Sequence, residues 1–194
     1  MKLTIKAIII TAAVLGAVVS AVAHAAPVSK AVHSPVPALM SELAKYQTAE
    51  KMTDALLKKF DTLDFDVYTN QKWDRLTESH AKDILVHYPD GHTSKGLAAH
   101  IDELKPMFVF APDTNIKTHP VRFGSGEWTG VIGVMEGTFT KPMPIGGGQT
   151  IPPTGKAFKL EMSTLGHWTK DGVMDEEYLF WDNQTFMKQI GLGQ

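Results

Sequence analysis

From Leu39 onward the apolar residues fall at Leu39, Leu43, Tyr46, Met52, Leu56, Phe60 and Leu63. This is the three-to-four spacing of one helical face, with Ser41 and Glu42 near its start. The other face (Glu42, Lys45, Lys51, Lys58) is polar and solvated. Trp73 to His80 predicts a second short helix. Ile84 to Tyr88 predicts a strand that ends at the turn Pro89-Asp90-Gly91. Leu97, Ile101, Leu104 and Phe108 return to helical spacing, and Pro112-Asp113 closes that stretch. The second half changes period. Asn115–Phe123, Trp128–Thr140, Lys156–Trp168 and Val173–Asp182 read as strands. They are separated by Gly124-Ser125-Gly126, the loop from Pro142 to Gly155, and Lys170-Asp171-Gly172, whose Asp-Gly pair is a strong hairpin signal. A short helix from Asn183 to Ile190 ends at Gly191. Helices first and an antiparallel sheet afterwards define an α+β class, with no internal repeat and no second domain.

The N-terminus follows a different pattern. Lys2 and Lys6 precede an apolar run, Ala7 to Val22, broken only by Thr11 and Ser20, and Ala23-His24-Ala25 places small residues at a cleavage site. Positive charge, apolar run and small-residue site form the secretory pattern. Residues 1–25 are therefore expected to be a cleaved signal peptide. Residues 26–38, with Pro27, Pro35 and Pro37, are expected to be a flexible leader, and 39–194 the folded domain of a periplasmic or secreted protein. Removing 25 of 194 residues leaves 169, enough for one domain with a sizeable core. Two of the 19 basic residues go with the signal, leaving 17 against 21 acidic, a net charge of −4. That mild negative balance argues against nucleic acid or an anionic membrane as partner, since both require clustered Lys and Arg. No stretch after the signal has the length and apolarity of a membrane span. The chain has no cysteine, which removes disulfides and thiol catalysis.

The last eighty residues resemble the SnoaL-like family of polyketide and ester cyclases. The resemblance rests on V-M-E-G-T-F-T (Val134–Thr140), P-P-T-G-K (Pro152–Lys156), the hairpin at Asp171-Gly172 and the ending W-D-N-x-x-x-M-K-Q-I-G (Trp181–Gly191). Upstream, H-A-K-D-I-L-V-H-Y-P-D-G-H (His80–His92) resembles the family's first strand. The resemblance covers about Leu39 to Gly191. It implies a curved antiparallel sheet forming a cone, with the N-terminal helices packed across its open side and a small-molecule pocket between. It further implies an intramolecular aldol closure without metal or organic cofactor, by a carboxylate assisted by a histidine on the neighbouring strand. Such a carboxylate needs a pKa raised by apolar surroundings, so that it can take and return a proton. Counting from Asp171-Gly172 and from Gln189-Ile190-Gly191 puts the family carboxylate at Leu179, and its histidine at Leu165 or a neighbour. Neither leucine moves protons.

A two-residue turn at Asp171-Gly172 pairs Lys170 with Val173 and puts Phe158, Leu160, Met162, Thr164, Trp168, Val173, Asp175, Glu177, Leu179 and Trp181 on one face, looking into the cone. Glu177, two residues before Leu179 and roughly 7 Å away by strand rise, is the expected displaced acid–base, with His87 as the other catalytic candidate. His167 and Glu176 would face each other on the opposite side, and Asp182 would cap the last helix. Asp90, His92, Trp73, Phe108, Met162, Trp168 and Leu179 are the expected ligand contacts. The run His80, His87, Asp90, His92 carries metal-ligand residue types but no H-E-x-x-H spacing. It reads first as a polar cluster at the pocket mouth, and a metal site of His87, Asp90 and His92 around the turn stays open as the second reading. The Pro142–Gly155 loop lacks the Lys-Ser/Thr ending of a phosphate loop and reads as a flexible hairpin tip, a lid or a dimer contact. The expectation is an exported pocket protein for a small, largely apolar carbonyl compound, needing no cofactor. Cyclase- or isomerase-type catalysis, a non-catalytic binding protein and a homodimeric interaction module all remain open.

Overall fold

The computed structural model describes residues 35–193. The expected signal peptide and residues 26–34 of the leader lie outside them. Helix α1 spans Val36–Thr62, opening inside the expected leader, where Pro37 is tolerated because first-turn N–H groups have no helical acceptor. Only its final turns are buried, through Leu56, Leu57 and Phe60. Leu39 and Tyr46, expected on a core-facing stripe, are 69% and 68% exposed. The sheet meets the helix only from about Thr53, whose methyl lies beside Gly124.

The helix continues into a π-helical segment, Leu63–Tyr68. Its wider turn brings Leu63, Asp64, Val67 and Tyr68 to the interior together. A 3-10 turn at Trp73–Glu78 follows, then β1 (His80–His87), β2 (Thr93–Lys95) and α2 (Leu97–Phe110). The expected strand Asn115–Phe123 is two strands, β3 (Asn115–Ile116) and β4 (Val121–Ser125). Pro120 has no N–H to offer a ladder, and His119 turns inward at the break. Next come β5 (Trp128–Thr138), the small hairpin β6 (Met143–Gly146) and β7 (Gln149–Ile151) within the long loop, β8 (Ala157–Trp168), β9 (Met174–Phe180) and α3 (Asn183–Gln189).

The main sheet runs β2-β1-β9-β8-β5-β3, with β4 also on β5. It is curved and unclosed, antiparallel except for the parallel pair β1–β9, and the helices pack against it. Alternation along β8 and β9 buries Phe158, Leu160, Thr164, Trp168, Glu177 and Leu179 on the helix side. At the hairpin end the expected register slips. Thr169 N donates to Val173 O at 2.8 Å, Trp168 pairs with Met174, and His167 pairs with Glu176. Asp175 is thus the extra residue of a bulge, and Met174, rather than Val173 or Asp175, packs inward. Two buried clusters fill the space beneath the sheet. One gathers Phe60, Leu76, Ile84, Val86, Trp168 and Met174. The other gathers Phe108, Phe110, Phe139, Phe158, Phe186 and Ile190.

Candidate active site

A cavity of about 270 Å³ lies between the two clusters. Its walls are mainly apolar, with five methionines (Met107, Met135, Met143, Met162, Met187) beside Phe110, Leu179 and Phe186. Unbranched thioethers adapt readily to ligand shape. Polar groups enter from three directions: Asp64 and Tyr68 from the π-helical segment, His80 and Glu177 from adjacent sheet strands, and His100 from α2.

Glu177 faces the cavity because it alternates in phase with Leu179 on β9. It is 4% exposed. Its Oε2 lies 3.4 Å from His100 Nε2 and 3.7 Å from His80 Nε2. Burial by itself would raise this carboxyl, but the two imidazoles outweigh it and hold Glu177 below the usual carboxylate value. Burial lowers His100 to about 4, so that ring is neutral at physiological pH. His100 Nδ1 lies 3.0 Å from the Tyr88 hydroxyl, and His80 Nδ1 lies 2.9 Å from Ser79 Oγ and 3.3 Å from Leu76 O. Burial pushes the Tyr88 phenol up to about 12, so it stays protonated.

Asp64 forms the second centre. Its Oδ2 lies 2.7 Å from His119 Nε2, and His119 Nδ1 lies 2.8 Å from Asp61 Oδ1. Arg122 closes on the other oxygen of Asp61. Both partners of His119 are carboxylates, which only accept, so the ring carries both protons. Burial opposes that charge, but the two carboxylates raise the His119 pKa despite it. Burial likewise raises Asp64, and His119 offsets only part of the rise. Tyr68, four residues on, is a buried phenol raised by burial and by the Asp64 charge, with its hydroxyl 3.5 Å from Met135 Sδ. The requirement of a carboxyl made more basic by apolar surroundings therefore falls on Asp64, not on Glu177.

The residues singled out in the sequence divide. Glu177, Met162 and Leu179 line the cavity. His87 does not: Ile84 and Val86 point inward, so His87 points outward, where Nε2 meets Glu176 at 2.9 Å and the ring stacks on Tyr178 at 4.0 Å. Asp90 and His92 pair with each other at 2.5 Å in an exposed turn, beyond the cavity wall. Trp73 and Phe108 pack edge to face at 5.6 Å in the core. Trp168 is fully buried, its indole N–H donating to Thr129 Oγ1 at 2.7 Å. None of these three lines the cavity. His167 pairs with Asp175, at 2.6 Å, rather than with its register partner Glu176. Asp182 does cap α3, accepting from Thr185 N at 3.0 Å. Leu165 lies on the outer sheet face, in register with Gly130 and Tyr178, and its neighbour Thr164 faces the cavity.

His100, His119 and Asp64 escaped sequence reasoning, and His80 was weighed only with His87, Asp90 and His92. The available signals were three aspartates within six residues (Asp61, Asp64, Asp66) at a helix end, and a histidine directly before Pro120.

A family model described as SnoaL-like polyketide cyclase matches residues 61–190. Solved structures share the fold at low identity. A putative polyketide cyclase, IdmH from Streptomyces antibioticus, is 21% identical over 70% of this chain and 98% of its own, with a TM-score of 0.60. A putative SnoaL-like polyketide cyclase from Jannaschia sp. CCS1 is 18% identical over 74% and 96%, with a TM-score of 0.62. A putative polyketide cyclase from Xanthomonas campestris pv. campestris is 17% identical over 73% and 98%, with a TM-score of 0.58. No curated protein matches the sequence.

Proposed function

Because the chain belongs to the SnoaL-like polyketide cyclase family, we propose that it binds a small, largely apolar carbonyl compound and moves a proton next to the carbonyl. One observation carries this reading: Asp64 is a buried carboxyl on the cavity wall, raised in pKa by burial and hydrogen-bonded through Oδ2 to His119. Asp64 takes the proton from the carbon beside the carbonyl, and the electron pair of that C–H bond moves into the enolate. The Tyr68 hydroxyl donates to the developing oxyanion, a charge it stabilises well among mainly apolar walls. The enolate then attacks a second carbonyl of the same molecule, whose oxygen takes up the C=O electron pair and the proton from Asp64, or Asp64 returns the proton at a different carbon. His119 keeps Asp64 oriented, and Asp61 with Arg122 holds His119.

The test is hydrogen–deuterium exchange at the α-carbon of a panel of cyclic and aromatic ketones in D2O, followed by NMR. Wild-type protein is expected to accelerate exchange. Asp64→Asn should abolish the acceleration and leave ketone affinity within a few-fold. Equal rates in the two proteins sink the reading. Binding without exchange in either would mark a receptacle, which the leucine at position 179 in the cavity wall would favour.

The same reading places the protein outside the cytoplasm, on the strength of its N-terminal pattern. N-terminal sequencing of the mature chain should begin at Ala26. Homodimerisation through the outer sheet face is also part of it, supported by exposed Val121, Phe123, Trp128 and Phe180 in neighbouring register rows. Sedimentation of Phe123→Lys should show a monomer where the wild type is a dimer.

A further inference from the structure

His80 Nε2 and Glu177 Oε2 are buried and have no hydrogen-bond partner among the described residues. At 3.7 Å the two atoms are too far apart to satisfy each other. Leu76 O, 3.3 Å from His80 Nδ1, can only accept, which favours a proton on Nδ1. The Ser79 hydroxyl, 2.9 Å away, accepts the same proton while donating its own to Leu76 O. His80 Nε2 stands 3.7 Å from Glu177 Oε2, and no hydrogen bond joins the two. His100 repeats the arrangement. Its Nδ1 meets the Tyr88 hydroxyl, and Ser94 Oγ, 3.3 Å from that hydroxyl, is placed to accept the phenol proton. His100 Nε2 lies 3.4 Å from the same Glu177 oxygen. Two buried polar atoms without a partner thus meet beside a third, His100 Nε2, and leaving such atoms unpaired is costly.

We propose that His80, His100 and Glu177 bind one divalent transition-metal ion of borderline softness, of the zinc class. The ligand atoms of the three lie within 4.8 Å of one another, and the two contacts to Glu177 Oε2 measure 3.4 and 3.7 Å. A tetrahedral zinc ion with bonds of about 2.0–2.1 Å sets its ligands about 3.3–3.4 Å apart, a spacing that the two contacts to Glu177 already match to within a few tenths of an ångström. Two imidazoles and one carboxylate suit such an ion better than magnesium or calcium, which prefer all-oxygen shells. The second shell is already built: Leu76 O and Ser79 orient His80, and Tyr88 orients His100. Three protein ligands leave a fourth position, and all three line the cavity, so that position opens onto the bound compound. An oxygen-bearing ligand, a carbonyl or enol, is the chemistry that would fill it. The trio draws on three elements that meet only in the fold, β1, α2 and β9.

This inference goes beyond the acid–base reading and does not depend on Asp64. Its test uses the mature full chain, stripped with chelator and titrated with Co(II), then displaced by Zn(II). The expected result is one equivalent of Co(II) per chain with the intense visible bands of a tetrahedral ion. Glu177→Gln should weaken binding at least a hundredfold, and His100→Asn serves the same purpose if that variant fails to fold. His92→Ala, which alters the exposed His92–Asp90 pair, should bind as the wild type does. Absence of saturable binding in the wild type up to about millimolar Co(II) or Zn(II), or binding unchanged in a folded trio variant, overturns the proposal. Ketone exchange measured on the same metal-free protein keeps the two readings apart, because exchange can persist or vanish whatever the titration shows.

Discussion

Replacing His119 with alanine tests the electrostatic frame that supports Asp64. The His119 side chain is 1% exposed, with charge-assisted contacts of 2.7 Å to Asp64 and 2.8 Å to Asp61. The ring also packs at 4.5 Å from Phe65 and 6.0 Å from Phe60, measured between centroids. Asp61 keeps Arg122 after the substitution, whereas Asp64, 6% exposed, loses its ring partner. Removing one partner of a buried pair costs about 3–5 kcal/mol. For a domain of this size that lowers Tm by roughly 6–20 °C. Urea unfolding at neutral pH measures the loss, and a double variant apportions it. Adding Asp64→Asn removes the stranded charge, so the double variant should recover at least about 1 kcal/mol of the single variant's deficit. The sign with pH follows from both shifts. His119 and Asp64 each hold a proton more tightly in the folded chain than in the unfolded one. The His119 contribution is present in full below about pH 6.5 and is lost as pH rises through its raised folded value. Wild-type stability should therefore fall on the alkaline side of about 6.5, and the His119→Ala curve should be flatter there. A loss under about 1 kcal/mol, strict additivity with Asp64→Asn, or an unchanged alkaline slope would refute the argument.

Two further outcomes can be checked independently. Asp182→Ala removes the cap that accepts from Thr185 N and should cost about 1 kcal/mol in urea unfolding, leaving ketone affinity unchanged. His87→Ala breaks the outer-face pair with Glu176 and should leave both ketone affinity and α-proton exchange as in the wild type; a tenfold change in either would place His87 back in the mechanism.

Much of the second half was legible because a strand's period of two leaves little freedom once one face is apolar. Phe158, Leu160, Thr164, Glu177 and Leu179 turn inward as their alternation predicts. The alternation failed next to the hairpin, where the bulge at Asp175 exchanged the inward place of Val173 for Met174. Nothing local in D-G-V-M-D announces an extra residue, since the slip is decided by how β9 seats against both β8 and β1. The same limit applied to His87. Its chemistry made it a candidate, but its parity with Val86 sends it outward, and that parity means something only once the core side of β1 is known. The first half of α1 shows the converse. Its apolar stripe has helical spacing, yet Leu39 and Tyr46 stay exposed because the sheet is too short to cover them.

By itself, the sequence determined the α+β class, most elements, the inward placement of Glu177, the cap at Asp182 and the family. These depend on contacts within a few residues or on motif order along the chain. Only the tertiary structure decided the polar ends of the cavity. His80, His100 and Glu177 come from β1, α2 and β9, while Asp64 meets His119 across 55 residues of chain. A histidine on an amphipathic helix or at a strand's first position looks alike whether it faces water or a buried carboxylate. The difference lies in the π-helical turn that rotates Asp64 inward, the break before Pro120 and the packing of α2 on β1, which arise when the helices close over the sheet.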